Sequence, residues 1–486
     1  MSLVTEFTKP AAVIEEASDV RSAAALEAEL RSWALLAVGS LAIAGIFAFL
    51  LALSRVPGIE KFIRWPLDFF SKGLVVHVIF SLVIWFLAIF ALLSSLATRD
   101  LNCGSLRLAG LGRVGLGLVS MSFGLLLVPA FHENATATLN NYVPVIIHPS
   151  YYAGLVMLAV GILLPALRLF ANLPRKLALA GDLPFALTMA GIVYSVALTC
   201  FAVTLMRLWG SEPSQGLHEQ LFWSGGHILQ FLYCLLMLTA WHALARRSLG
   251  EAVIDPEIFR LAVALIAIFA LPALIFLFAF EPFGAKQIDA FRRLQFVLGF
   301  PSLLVAVGGA VAVARARRTR PLPWSDPAFL ALILSPLLFA AGGIMGLLIT
   351  SSDTRTPAHY HGMIAAVTTA CMGLMLTCCL PALNRAPLLS RQLNREIVLF
   401  AAGQFTATVG LFLAGGYGAP RKTPSGLVSM ADGAVIGMYL HGIGALIAVI
   451  GGAFFVATVL RALLFPRLEQ HAILERGDGQ PRGAAL

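Results

Sequence analysis

Charged residues are scarce in this sequence of 486 residues: Asp, Glu, Lys and Arg make up 12% of it, whereas 59% is hydrophobic. A water-soluble domain cannot bury that much apolar surface, so lipid must be the solvent for most of the chain. The formal net charge of +9 would suggest nucleic acid in a soluble protein, but the arginines fall in short gaps between apolar runs. This spacing is typical of membrane topology, and we expect no nucleic-acid partner.

Cysteine is also rare, and its spacing excludes three kinds of site. The six cysteines form no Cys-x-x-Cys pair and no Cys-x-x-Cys-His motif. We therefore expect no disulfide framework, no zinc site and no covalently attached haem. The N-terminal residues also lack the basic, apolar, small-residue order of a cleavable signal, so residues 1–31 are predicted to form a cytoplasmic tail.

Twelve apolar runs are long enough to cross a bilayer, since a helical span needs roughly 20 residues. They lie at 32–53, 73–97, 108–130, 150–172, 183–206, 221–244, 259–281, 294–314, 328–350, 359–381, 397–416 and 435–460. The sequence thus predicts an all-α polytopic membrane protein. Its transmembrane domain would cover residues 32–461, followed by a cytoplasmic tail over 462–486.

The basic residues between the runs predict an orientation, because Lys and Arg in short loops are retained in the cytoplasm. With the N-terminus inside, most basic gaps fall inside, and the loop 131–149, which has no Lys or Arg, falls outside. The outer gap 55–72 is more basic than this rule favours. We expect a multi-pass protein of the inner (plasma) membrane with both termini in the cytoplasm.

Five histidines from four of the predicted spans share the outer half of this layout: His77, His227, His359, His361 and His441. A membrane histidine can simply hydrogen-bond a neighbouring helix. However, an ionisable group in lipid is costly and usually functional, and neutral imidazole is a good iron ligand. Positions i and i+2 of a helix point about 200° apart, so His359 and His361 can hold two flat cofactors on opposite sides.

This arrangement resembles subunit I of the haem-copper oxidase superfamily, which includes cytochrome oxidases and nitric oxide reductases. The resemblance rests on His77 early in the second span, on Trp-Ser-Gly-Gly-His at 223–227 in the sixth, and on His-Tyr-His at 359–361 in the tenth. The basic pair Arg421 and Lys422 precedes the twelfth span. The resemblance covers nearly the whole chain and implies a twelve-helix bundle like that of subunit I.

The resemblance also implies a role for each of these residues. His77 and His361 would be the axial ligands of a low-spin haem, and His359 would be the proximal ligand of a high-spin haem. His227 would bind a second metal, copper or non-haem iron, beside the high-spin haem. The basic pair would bind haem propionates through charge-assisted hydrogen bonds. Two haems, both of b type, are the expected cofactors.

The sequence departs from the family pattern at the second metal. The chain has no histidine between His242 and His359, so two of the usual copper ligands are missing. Glu281 aligns close to them and can be either an oxygen ligand suited to iron or a carboxylate that faces water. Phe231 stands where oxygen-reducing members have a tyrosine. Gln230 can offer a polar group to a bound ligand or only bridge two helices.

The implied activity is reduction of a diatomic gas. Electrons from a small donor subunit, cytochrome c or quinol would pass through the low-spin haem to the high-spin haem. Nitric oxide is favoured because the copper ligands and the tyrosine are missing and Glu281 is available. An oxygen-reducing cytochrome c oxidase subunit I is one alternative, and a haem electron-transfer or structural subunit without gas reduction is another.

The remaining histidines are predicted to lie away from this site. His132, His148 and His218 would be surface residues near the outer loops, and His242 and His471 would lie on the inner side. His441, in the outer half of the twelfth span, is either an extra contact of the metal site or a packing residue.

Overall fold

The structure, a computed structural model, describes residues 9–63, 69–101, 107–250, 254–385, 390–423 and 429–465. Within these ranges, twelve helices are long and apolar enough to cross a membrane, as the sequence predicts. Cys103, His471 and the part of the C-terminal tail beyond residue 465 lie outside the described residues.

We number the spanning helices in chain order. They are α1 (Lys9–Ser54), α2 (Phe69–Leu101), α3 (Ala109–Phe131), α4 (Pro149–Ala171), α5 (Asp182–Arg207), α6 (Gln215–Leu249), α7 (Pro256–Ala279), α8 (Ala285–Thr319), α9 (Pro327–Leu347), α10 (Arg355–Ala382), α11 (Ser390–Gly416) and α12 (Asp432–Leu464). Helix α1 begins well before the apolar run predicted at 32–53. Hydropathy marks only the lipid-buried part of a helix, whereas the backbone hydrogen bonds of α1 continue into its polar residues.

Three helices form the centre of the bundle. In α2, α6 and α10, 72%, 89% and 78% of the most apolar window is buried, against 22–44% in the other nine. These enclosed helices carry His77, His227, His359 and His361. A π-helical segment, Ile79–Ile84, follows His77 directly, and π-helical turns in α-helices are frequent at functional sites.

A small β-hairpin covers one end of the bundle. Strands β1 (Thr136–Thr138) and β2 (Val145–Ile147) pair antiparallel in the loop between α3 and α4 and contact α2. Tyr142, in the turn between the strands, has a φ of 67°, in the left-handed region. We call this end of the bundle the hairpin face. The sequence showed only a loop here, because strands of three residues leave no readable alternation.

Glycines bring α11 and α12 into close backbone contact, which is common between membrane helices. A Cβ added to Gly410 would overlap the backbone nitrogen of His441, and one added to Gly444 would overlap that of Ala407. His441 Nδ1 lies 3.3 Å from the Ala407 carbonyl oxygen. The glycines therefore fix the position of the His441 ring against α11.

A buried ion pair links α1 and α4. Both side chains are almost fully buried, and Arg168 Nη1 donates to a Glu29 carboxylate oxygen at 2.9 Å. Ser95 of α2 accepts from Arg168 at 2.8 Å and donates to Glu29 at 3.1 Å. Gly112 of α3 leaves room for the pair, since a Cβ there would overlap the guanidinium. Four helices thus share one polar contact in an apolar bundle.

Substituting Glu29→Ala should lower the free energy of unfolding by about 3–5 kcal/mol, because it leaves the Arg168 charge buried without a partner. Thermal or denaturant unfolding in detergent would measure the loss. The double variant Glu29→Ala/Arg168→Leu removes both charges and should recover most of it. A single variant as stable as the parent would show that the pair does not hold these helices together.

Candidate functional site

Imidazoles and a guanidinium from four helices or their ends converge in one cluster. His361 of α10 lies within electrostatic range of His77 of α2, His441 of α12 and Arg55, which follows α1 directly. The sequence left open whether His441 belongs to the site or only packs. In the structure His441 lies within electrostatic range of His361 and Arg55, so we count it as part of the cluster.

Two of the predicted haem ligands have the same hydrogen-bond pattern. His77 Nδ1 lies 3.1 Å from the Ala44 carbonyl oxygen of α1, and His359 Nδ1 lies 2.8 Å from the Gly342 carbonyl oxygen of α9. A carbonyl can only accept, so the proton of each neutral ring is on Nδ1 and the lone pair is on Nε2. A metal-binding histidine usually donates a hydrogen bond from its other ring nitrogen, and this bond fixes the orientation of the ring.

Close helix packing holds the His359 ring in place. A Cβ added to Gly346 of α9 would lie 2.5 Å from His359 Nδ1, and one added to Gly342 would lie 2.8 Å from the Met363 nitrogen. His359 therefore faces α9, whereas His361, two residues later, lies near α2 and α12. The two imidazoles of this motif are directed at different neighbouring helices.

The histidine motif of α10 also presents accessible surface inside the bundle. Although most of α10 is buried, His359 and His361 are only half-buried and Tyr360 is 37% exposed. The Tyr360 and His361 rings lie 5.3 Å apart at an angle of 28°. Flat surface of this kind on a central helix suits a planar ligand held by the neighbouring rings.

Three cations lie near these rings at the hairpin face. Arg421 donates to Asn141 Oδ1 at 2.8 Å, and Lys422 donates to the Leu139 carbonyl oxygen. Arg421 and Arg55 are both electrostatic neighbours of Tyr360. In the sequence, Arg55 stands out only as part of the outer gap 55–72, which is more basic than the charge rule favours. Its position between an outer loop and the histidine layer was the feature of the sequence that could have indicated a place in the site.

The environment of Lys422 favours loss of its proton. Burial, together with the neighbouring charge of Arg421, lowers the pKa of Lys422 to about 8, although Glu219 acts in the opposite direction. The side chain can therefore change its charge in a mildly alkaline medium. An anion bound beside Lys422 would favour the charged form again.

His227 lies apart from this cluster, in the enclosed part of α6, and both of its ring nitrogens have protein partners. Nδ1 lies 2.9 Å from the carbonyl oxygen of Trp223, and Nε2 lies 2.9 Å from the Tyr142 hydroxyl. The side chain of Gln230 lies close enough to the same hydroxyl to interact with it electrostatically. His227 and Gln230 thus share a partner that the sequence did not indicate.

Glycine and the hairpin bring Tyr142 to this position. A Cβ on Gly226 would overlap the Tyr142 side chain, so the ring packs directly on the α6 backbone. The adjacent Asn141 backbone N–H donates to Glu219 Oε2 at 3.1 Å, which ties the turn to α6. Burial, and the negative charge of Glu219, raise the pKa of Tyr142, so the phenol keeps its proton.

Glu281 does not lie at a metal site. Its side chain is 87% exposed and pairs with Arg207 Nη2 at 3.3 Å. The helix ends at Ala279, and the extended backbone of Phe280 after it turns the chain toward the surface. This exposure agrees with the second of the two interpretations, a carboxylate that faces water, and gives no support to an oxygen ligand.

The residues around His227 do not fit a second metal ion. In the described parts of the chain, no group of three or more His, Cys, Asp or Glu side chains is arranged to hold a metal. His227 has no nitrogen free for coordination, because Tyr142 and Trp223 use both. The Tyr142 phenol is the partner of Nε2 in this imidazole.

One prediction for the other histidines is wrong. His218 is 1% exposed. Its ring forms hydrogen bonds with the Thr138 hydroxyl at 2.8 Å and the Tyr152 hydroxyl at 3.0 Å. It is a structural contact between α6 and the hairpin, not a surface residue. His132 is exposed and lies with its ring 4.9 Å from that of His148.

His242 lies near the end of α6 opposite the hairpin face, away from the histidine cluster. Its Nε2 lies 3.0 Å from Asp182 Oδ2, and its ring stacks on Phe259 at 4.1 Å. Asp182 also accepts from Arg246 and Arg260. This group ties α5, α6 and α7 together.

Comparisons with known proteins agree with this architecture. The model of the family described as "Cytochrome C and Quinol oxidase polypeptide I" matches residues 30–462. An uncharacterized protein of Rickettsia prowazekii, RP382, is 25% identical over 89% of this chain and 96% of its own length. An uncharacterized protein of Aquifex aeolicus is 30% identical over 69% of this chain and 80% of its own. Cytochrome c oxidase subunit 1 of Thermus thermophilus is 24% identical, over 73% of this chain and 69% of its own.

Proposed function

Because the chain belongs to the cytochrome c and quinol oxidase polypeptide I family, the haem-copper oxidase subunits I, we propose that it is the haem-binding catalytic subunit of a respiratory complex that reduces nitric oxide. It is an integral membrane protein of an oxidoreductase family. The observation that carries the proposal is the ring geometry of His77 and His359, each with Nδ1 bonded to a backbone carbonyl oxygen.

The residues present fit two haems. His77 and His361, from α2 and α10, would hold a low-spin haem, and His441 belongs to the same cluster. His359, held against α9, would hold a high-spin haem on the other side of α10. When bound, haem supplies one-electron redox chemistry and an iron position for a gas.

The chain's own residues would orient the haem ligands and supply positive charge for the haem propionates. The Ala44 and Gly342 carbonyl oxygens fix the tautomers of His77 and His359, so that Nε2 is the nitrogen available for iron. Arg421, Lys422 and Arg55 supply positive charge for the propionates, which need charge-assisted partners when buried. The apolar walls of α2, α6 and α10 exclude water from the site.

Electron counting favours nitric oxide. Two nitric oxide molecules take two electrons and two protons to give nitrous oxide and water, and two haem irons can store two electrons. Reduction of dioxygen to water takes four electrons. The described residues around His227 do not fit a second metal ion, which could store further electrons.

Oxygen reduction is the second candidate, and two observations favour it. The Tyr142 phenol lies 2.9 Å from His227, although it comes from the hairpin and not from α6. The Thermus thermophilus relative is a cytochrome c oxidase subunit 1. We further propose that the complex lies in the plasma membrane with both termini cytoplasmic and that a small subunit, cytochrome c or quinol donates the electrons.

Gas consumption by the purified protein tests the proposal. The protein, reduced with ascorbate and a mediator in detergent, would be exposed separately to nitric oxide and to dioxygen in electrode chambers. We expect nitric oxide uptake with formation of nitrous oxide. Uptake of dioxygen alone would favour the second candidate, and uptake of neither gas by a haem-loaded protein would identify an electron-transfer subunit.

The pH dependence of the low-spin haem potential tests the role of Lys422. As pH rises through about 8, Lys422 loses its positive charge, so the reduced haem is less stabilised and the midpoint potential should fall. A bound propionate moves this step to higher pH but keeps its sign. Spectroelectrochemical titration should show a fall on the order of tens of mV. For a one-electron couple, about 59 mV corresponds to a tenfold change in the equilibrium constant.

The variant Lys422→Gln removes the titrating charge and keeps a polar side chain. It should start at the lower potential and lose the step at alkaline pH. Arg421 is present in both proteins and provides the same background. Equal slopes in parent and variant would contradict a contact between Lys422 and the haem.

A further inference from the structure

We infer that Tyr142 permanently replaces the second metal, so that the chain carries a phenol–imidazole pair, Tyr142–His227, in a copper-free gas pocket. The inference deepens the proposed function and rests on it for the position of the gas. It goes against what the family pattern implies for His227.

The direction of the hydrogen bonds closes His227 to a metal ion. The Trp223 carbonyl oxygen can only accept, so the ring proton is on Nδ1. Nε2 is then the lone-pair nitrogen, and the Tyr142 hydroxyl donates to it at 2.9 Å. His77 and His359, by contrast, have no hydrogen-bond partner at Nε2 among the described residues.

The phenol is part of the fold and not a side chain that swings in from solvent. Tyr142 occupies a left-handed turn with a φ of 67°, which non-glycine residues adopt rarely. Gly226 gives the ring room against α6, and Glu219 holds the neighbouring Asn141. The ring also lies 5.8 Å from the Trp223 ring and 4.6 Å from the His227 ring. Moving Tyr142 away would break all of these contacts.

Other ligands for a metal are lacking near this pair. Glu281 is exposed on the surface, and no group of three His, Cys, Asp or Glu suited to a metal occurs in the described residues. The side chain of Gln230 contacts the Tyr142 hydroxyl and adds an amide to the same wall. The phenol proton is already donated to His227, so the two side chains would meet a bound gas as one hydrogen-bonded pair.

Metal analysis is the first part of the test. The protein would be produced in medium supplemented with copper and iron, purified without chelators, and analysed for copper, total iron and haem. We expect no copper and no iron beyond that of the haems. One copper or one non-haem iron per chain would overturn the inference. A protein without haem would instead overturn the proposed function, while its copper content would still decide this inference.

Infrared spectra of the carbon monoxide adduct are the second part. Tyr142→Phe keeps the ring and removes the hydroxyl, so it should move the C–O stretching band of carbon monoxide bound to the reduced high-spin haem. His227→Ala should move the band as well, and the double variant should move it no further, because the two residues act as one unit.

Tyr152→Phe is the matched control, because it removes the hydroxyl of the other tyrosine–histidine pair at the hairpin face, 3.0 Å from His218. Its band should match the parent. A Tyr142→Phe band identical to that of the parent, or shifts in the two single variants that add in the double variant, would overturn the inference.

Discussion

The variant His77→Ala should retain the high-spin haem and lose the low-spin one. Its low-spin electron paramagnetic resonance signal should disappear, and the haem content should fall by half. Loss of only a supporting partner of a metal-bound histidine weakens binding 10–100-fold, so loss of the ligand itself should cost more than about 100-fold in affinity. Steady-state gas reduction should stop with it, because electrons no longer reach the second haem.

His132→Ala is the control for this variant, since His132 is an exposed histidine at the same face of the bundle. It should leave both signals unchanged. An unchanged low-spin signal in His77→Ala would contradict the assignment of His77 and would point to His441 as the partner of His361.

The variant His359→Ala should show the reverse pattern. It should keep the low-spin signal and lose binding of carbon monoxide and nitric oxide to the reduced protein, because the high-spin haem has no other protein ligand. Gas-binding difference spectra would measure the loss, which we expect to be complete at any gas concentration that saturates the parent.

His218→Ala provides the matched control, as His218 is a buried histidine bonded to Tyr152 and Thr138 instead of a haem ligand. Its stability should fall, but gas binding per haem should be unchanged. Gas binding retained by His359→Ala, or lost together with the low-spin signal, would show that the two haems are not separated by α10 as proposed.

The twelve spans could be predicted from the sequence because each depends on local composition. A run of apolar residues in lipid must be helical, since its backbone groups have no other partner. Helix ends were less predictable. Helix α1 begins at Lys9, before the apolar run, where the residues no longer need to be apolar because they lie outside the lipid.

The histidine cluster was predictable in part. Alternating helix direction placed His77, His361 and His441 at one depth, and the structure brings these three together. Their carbonyl partners were not predictable, because Ala44, Gly342 and Ala407 contribute only backbone atoms. Backbone acceptors leave no mark on the side-chain pattern.

Tyr142 could not be found from spacing along α6. It belongs to a turn far from His227 in sequence, and only the folded hairpin brings it there. The adjacent glycines Gly225 and Gly226 were the available signal, because they indicate a close approach to the helix. For Glu281, alignment gave the position along the chain but not the direction of the side chain.

The most direct test of the account is a count of haem and its ligation state in the purified protein. Pyridine haemochrome analysis and electron paramagnetic resonance of the oxidised protein should give two haems per chain, one low-spin with two imidazole ligands and one high-spin. A colourless protein, or one whose low-spin haem signal survives replacement of both His77 and His361, would contradict the account.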